Sequence, residues 1–167
     1  MVTNPISEQH GLSVDSIHLE YCGVERLPDI MRIMELSFSE EYGESWNNNQ
    51  CRSMLSLRGT RLMIASVKQH PIGFLISRVV VGEEELLMIA VDPQYQQNGV
   101  GMAMLKHMLN EAGRNAVDAV FLEVRANNPA QELYRNLGFI KIGERSAYYT
   151  GANGEKFDAN TYKLTLR

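Results

Sequence analysis

Three features of this chain have residue types and spacing suited to chemistry. The first is Glu123, which interrupts the apolar run "VFLEV". A carboxylate in such a strand is costly unless it is paired or used. Paired, it would meet Arg125, two residues on and on the same strand face. Used, it would accept a proton. The second is Tyr134, eleven residues later, in the helical stripe Ala130, Leu133, Tyr134 and Leu137. A tyrosine there is either a buried ring with a bonded hydroxyl or a proton donor. The third is "QQNGVG", Gln96, Gln97, Asn98, Gly99, Val100 and Gly101, followed by Met102. An apolar strand runs into it and an amphipathic helix runs out. Such a joint turns free N–H groups and the positive end of the helix dipole outward, which suits an anion. Glycine lets the backbone approach a phosphate closely. The plainer alternative is a tight turn with close helix–strand packing. No lysine follows as a P-loop requires, and position 104 is Met where a dinucleotide fingerprint needs glycine.

The elements that must position these residues follow from periodicity. "SIHLEYC" from Ser16 reads as a strand, and "RLPDIMRIMELSF" as an amphipathic helix with Pro28 in its first turn. "SEEYGESW" breaks the pattern. A short helix follows in "NNNQCRSMLSL", capped by Asn47 or Asn48. "RLMIASV", "GFLISRVVV" and "ELLMIAV" are three strands, with "QHPIG" and "GEE" as turns, hence antiparallel hairpins. The third is apolar from Leu86 to Val91, as expected of a central strand covered on both faces. The helix after the glycines carries Met104, Leu105, Met108, Leu109 and Ala112, with Gly113 as its stop. "DAVFLEV" is a strand parallel to the third, because a helix joins them. "NPAQELYRNLG" is a helix from Asn128 and Pro129 to Gly138. "FIKIGE" and "FDANTYKLTLR" are two last strands. Residues 1–15 are expected to be a loose tail and residues 16–167 one α/β (α+β) domain. Its mixed sheet should have about six to seven strands flanked by about four helices.

Composition bounds the function. The 167 residues suit one domain, and hydrophobic and charged fractions of 44% and 22% are those of a globular protein. A net charge of -4 argues against nucleic acid as the main partner. No apolar run approaches a bilayer span, and the first residues lack a signal-peptide core, so a cytoplasmic protein without a membrane partner is expected. Cys22 and Cys51 lack CxxC spacing, and the four histidines lack metal spacing, so no metal is expected.

"QQNGVG" after an apolar strand resembles the Q/R-x-x-G-x-G/A signature of the Gcn5-related N-acetyltransferases. "NNPAQELYRNLGF" resembles that family's N-x-x-A-x-x-L-Y-x-x-x-G-F, through Asn127, Ala130, Leu133, Tyr134, Gly138 and Phe139. The likeness covers the chain from about Ser16. "LLMIAVDPQYQQNGVG", "FLEVRANNPAQELYRNLGF" and "AYYTGANGEKFDA" further resemble the ribosomal-protein-alanine N-acetyltransferases within it.

This resemblance implies an acetyl-CoA-dependent acyltransferase with a protein N-terminal α-amine as acceptor, possibly that of a small-subunit ribosomal protein. It implies Glu123 as general base and Tyr134 as general acid. The backbone of Ile89, Ala90 and Val91 would face the acetyl group, and the glycine joint would hold the pyrophosphate. The β-strand of Ile89–Val91 would have to splay from its neighbour to free its donors. This chain is one residue short between "LEVR" and the asparagine, so either Asn127 or Asn128 would reach the cofactor. "SEEYGESW", with Glu40, Glu41, Glu44, Tyr42 and Trp46, is either a solvated loop or, as the resemblance implies, an acidic rim of the acceptor site. Tyr148 and Tyr149 either close the other side of that site or are edge aromatics. Two other functions stay open: acetylation of a small-molecule amine, and non-catalytic sensing of an acyl-CoA. Having both Glu123 and Tyr134 speaks against the sensor. Oligomeric state is left open.

Overall fold

In the computed structural model, which describes residues 12–167, the apolar runs pair into one seven-stranded sheet. Its strands are β1 (His18–Cys22), β2 (Thr60–Val67), β3 (His70–Val80), β4 (Glu83–Val91), β5 (Ala119–Arg125), β6 (Ile140–Thr150) and β7 (Lys156–Thr165). The helices are α1 (Leu27–Ser37), α2 (Asn48–Leu55), α3 (Val100–Arg114) and α4 (Gln131–Asn136). Strand order is β1-β2-β3-β4-β5-β7-β6, and the β4–β5 pair is parallel where the others are antiparallel. Of the expected tail, residues 1–11 lie outside the described residues. Leu12 packs against the core and Val14–Ser16 makes a 3-10 turn.

The hairpins form as expected, with turns set by backbone hand. Lys68 and Gln69 (φ 48 and 66), and then Val81 and Gly82 (φ 47 and 80), are left-handed pairs. Two successive positive φ values match the right-handed twist of the flanking strands. The first turn is therefore Lys68–Gln69, overlapping "QHPIG" only at Gln69, and His70 already belongs to β3.

The sheet separates two apolar cores. On one face α3 buries Met104, Leu105 and Met108 against Met63, Ile72 and Leu75. On the other, α1 and α2 bury Ile30, Ile33, Met34 and Cys51 against Ile64, Phe74 and Ile76. Each such side chain contributes about 1.5–3 kcal/mol on burial. β4 serves both: Met88 and Ala90 face one core, Ile89 and Val91 the other.

Several boundaries differ from the sequence reading. α3 runs through Gly113 to Arg114, because Asn115 donates its side-chain amide to Glu111 O and Ala116 takes the left-handed turn (φ 57). α4 starts only at Gln131. Before it, Asn128 Oδ1 accepts from Ala130 N at 2.9 Å, so the asparagine builds a side-chain turn ahead of the helix. Gly138 (φ 91) ends that helix as expected. Asn47 and Gln50 form a full capping box on α2. β6 continues past "FIKIGE" to Thr150, with a register break between Arg145 and Tyr149.

Two irregularities matter for the site. The β3–β4 register jumps at Leu87, between the Ile76–Met88 and Ser77–Leu86 pairs. The β4–β5 pairing runs from Glu83–Ala119 only to Leu86–Leu122. Beyond it the two parallel strands part. Glu123–Arg125 pair with β7, while Met88–Val91 keep β3 as their partner. This is the separation expected near Ile89–Val91.

Candidate active site

The parted strands open two adjoining cavities, of about 570 Å³ and about 420 Å³. Six residues line both: Phe38, Glu44, Ile89, Asn128, Ala130 and Tyr134. The larger cavity is bounded by the glycine joint. Of the candidate residues, Ile89, Ala90, Val91, Gln96, Gln97, Gly99, Val100, Gly101 and Met102 line it, as do Asn128 and Tyr134. Asn98 and Asn127 do not. Asn98 donates its amide to Gln96 O, and Asn127 Oδ1 accepts from Arg125 Nη1.

The start of α3 is built for an anion. Its N-cap is Gly99, with φ 79, a conformation a side chain rarely takes. Among the described residues no side chain caps this helix, and its first turn holds no acid. The first intrahelical bond at this end is from Ala103 N to Gly99 O. The N–H groups of Val100, Gly101 and Met102 are therefore left to the cavity. A Cβ on Gly101 would stand 3.5 Å from Leu133 Cδ2, in the space beside them. The joint is braced from behind. Asp92 accepts from Gln94 N at 3.0 Å and pairs with Arg32 at 3.3 Å, and Val91 O accepts from both Ser37 Oγ and Gln96 Nε2. These donors fit a pyrophosphate without a cationic side chain.

The smaller cavity is lined by three carboxylates, Glu44, Glu85 and Glu123, and by no lysine or arginine. Glu123 is not held by Arg125. Its Oε1 pairs with Arg145 Nε at 3.0 Å, and its Oε2 accepts from Thr161 Oγ at 2.8 Å. Arg125 turns away to Glu44 (3.3 Å) and lies over the Tyr42 ring, 3.6 Å from its centroid. Sequence spacing missed Arg145 and Thr161 because both reach Glu123 across strand pairings.

Tyr134 stands at the divide. It is buried and packs against Phe139 and Tyr162, with ring centroids at 6.0 Å and 6.4 Å. Its hydroxyl has no hydrogen-bond partner among the described residues, although the residue lines both cavities. Burial first, then the charge of Glu44, raises its pKa above 10.0, so it stays protonated at neutral pH.

Two loops flank the smaller cavity. The segment carrying Glu44 and Trp46 meets the β6–β7 turn so closely that Gly43 and Gly151 are required. A Cβ on Gly43 would come within 1.9 Å of Thr150 O, and one on Gly151 within 1.9 Å of Glu41 O. Tyr148 and Tyr149 line the same cavity, their rings edge to face at 4.9 Å. The cysteines lie outside both cavities, and burial pushes the Cys22 thiol up to about 11. Among the described residues no helix is long and apolar enough to cross a membrane.

The chain belongs to the acetyltransferase (GNAT) family, whose model matches residues 27–139. It is 43% identical over 84 residues to the [ribosomal protein bS18]-alanine N-acetyltransferase of Escherichia coli (strain K12). That match spans 50% of this chain and 57%, little more than half, of the relative's length. The enzyme of the same name from Haemophilus influenzae is 32% identical over 141 residues, 84% of this chain and 91% of that protein. The crystal structure of the ribosomal-protein-S18-alanine N-acetyltransferase from Escherichia coli superposes with a TM-score of 0.82 at 29% identity. It covers 90% of this chain and 94% of that one.

Proposed function

We propose that the protein transfers an acetyl group from acetyl-CoA to a primary amine by direct attack, the acceptor being the N-terminal α-amine of a protein. The observation that carries this reading is Tyr134 on the wall between two cavities. One cavity ends in the uncapped start of α3, the other in Glu123. A ribosomal-protein alanine is the specific acceptor favoured, because a relative matched over 91% of its length carries that activity in its name.

The first-turn N–H groups of α3 bind the pyrophosphate, and Asn128 is the asparagine that borders the pantetheine arm. Acetyl-CoA, when bound, supplies the thioester. A peptide α-amine has a pKa near 8, so most arrives as ammonium at neutral pH. Glu123 takes its proton, directly or through water, and leaves the nitrogen pair free to attack. The nitrogen then passes its second proton to water or to the departing thiolate, giving an amide and a thiol. Backbone N–H groups freed by the β4–β5 separation near Ile89–Val91 hold the oxyanion. Tyr134 donates to the sulfur as the carbon–sulfur bond breaks. A thiol of pKa about 8.5 is a stronger acid than this phenol, so Tyr134 works chiefly through a hydrogen bond to the developing thiolate.

The test is thiol release from acetyl-CoA with a panel of acceptors. Turnover with peptides beginning Ala-Arg, and none with small amines, is the expected result. Turnover confined to polyamines or free amino acids would move the acceptor to that class. Cofactor binding without turnover on any acceptor would make the protein a sensor.

A further inference from the structure

We infer that Arg145 is a resident counter-ion of Glu123, with which the cationic amine of the acceptor competes for the carboxylate. The inference rests on the acetyl-transfer reading and names a residue that sets how the acceptor is admitted.

Glu123 has both oxygens occupied. A carboxylate has about four acceptor sites, so the two bonds do not saturate it, but Arg145 already neutralises its charge and competes with any arriving cation. The two partners are held very differently. Thr161 lies directly opposite Glu123 in the β5–β7 register, so its short side chain is fixed by the sheet. Arg145 sits one strand further out, on β6, opposite Ala159 of β7. It must span two strand spacings, about 9–10 Å, to reach Glu123. Its side chain is 60% exposed, while that of Glu123 is 13% exposed. The backbone beyond it is irregular: pairing to β7 breaks between Arg145 and Tyr149, and Ala147 is left-handed (φ 54). While paired with Glu123, the guanidinium also lies beside the Tyr148 ring, 5.5 Å from its centroid. Arg145 is therefore the exchangeable partner and Thr161 the permanent one.

The cavity supplies the rest of the argument. Of its three lining carboxylates, Glu44 and Glu123 are paired with Arg125 and Arg145, and Glu85 has no ion pair among the described residues. This leaves a net negative charge that favours an ammonium group. An arriving ammonium competes with the guanidinium for the same Glu123 oxygen. It displaces Arg145 toward solvent, and hands its proton to the oxygen it has gained. An acceptor without a positive amine cannot make this exchange. Arg145 is thus a positioning residue that discriminates by charge and takes no part in bond making.

The test compares Arg145→Ala, Arg145→Lys and the unaltered protein. Binding is measured calorimetrically for a hexapeptide beginning Ala-Arg, with its N-terminus free or acetylated, in the presence of coenzyme A. Arg145→Ala should bind the free-amine peptide about two- to fivefold more tightly, the scale of one partly exposed ion pair. The acetylated peptide should be unaffected. In turnover, KM should fall by a similar factor with kcat within about twofold, and Arg145→Lys should return KM toward the unaltered value. Equal changes for both peptides, a raised KM, or a loss confined to kcat would overturn the counter-ion. Turnover of the peptide by the unaltered protein tests the acetyl-transfer reading separately.

Discussion

Replacing Tyr134 by phenylalanine separates a chemical role from a packing role. The hydroxyl has no partner to lose among the described residues, and the ring contacts with Phe139 and Tyr162 do not involve it. Deleting it leaves no orphaned group, so stability should change by less than about 0.5 kcal/mol. In the proposed mechanism the same hydroxyl meets a developing thiolate in the transition state. A hydrogen bond to a charged group contributes about 1.5–3 kcal/mol. At about 1.4 kcal/mol per factor of ten, kcat should fall about 10- to 150-fold. Coenzyme A affinity should be nearly unchanged, because the pyrophosphate is held elsewhere. Thiol release at saturating substrates, thermal unfolding and calorimetric titration of coenzyme A read the three quantities. The raised pKa adds a sign: Tyr134 keeps its proton up to at least pH 10, so its ionisation causes no alkaline fall below that pH. Turnover within twofold of the unaltered protein would refute the reasoning. So would a rate loss matched by a loss of stability, or an alkaline fall below pH 10 that the substitution abolishes.

Four further outcomes are expected. Glu123→Gln should lower the rate about a hundredfold or more near pH 7 and less near pH 9, where the amine is already free; equal loss across a pH–rate profile would remove the general base. Met102→Glu places an acid in the first turn of α3, where it favours the helix by about 0.3–1 kcal/mol but opposes the pyrophosphate. Its melting temperature should hold or rise while coenzyme A affinity falls at least about tenfold. Glu44→Ala leaves the buried Arg125 without its carboxylate, and urea unfolding should show a loss of about 3–5 kcal/mol. Glu44→Leu combined with Arg125→Met should recover much of that loss, as uncharged packing replaces the pair.

Much of the fold was legible because period and punctuation agree. The alternation and turns of Thr60–Val91 give three strands, and the Met104, Leu105, Met108 stripe gives α3. The glycine joint was legible for a related reason: an uncapped helix start needs only local backbone. Terminal residues were less so. Gly113 looks like a stop, but Asn115 and Ala116 end the helix, because one glycine inside a well-packed helix costs only about 1 kcal/mol. The partner of Glu123 was misread for a physical reason. Spacing along one strand favours Arg125, but strands stand about 4.8 Å apart, and a long side chain from β6 reaches as readily. The parting of β4 from β5 is a property of pairing, which no single segment encodes. The asparagine ambiguity was resolvable only in space, where Asn127 turns to Arg125 and Asn128 to the cavity.

The opening between β4 and β5 also fixes the order of events. Each cavity keeps its own walls, and they share only the residues at the divide. Occupying one leaves the other's lining exposed, so the proposed direct transfer has both reactants on the protein together before any bond changes. Steady-state rates measured against both concentrations should give intersecting double-reciprocal lines. Parallel lines would mark an acetylated enzyme released between two half-reactions; the cysteine thiols lie outside both cavities.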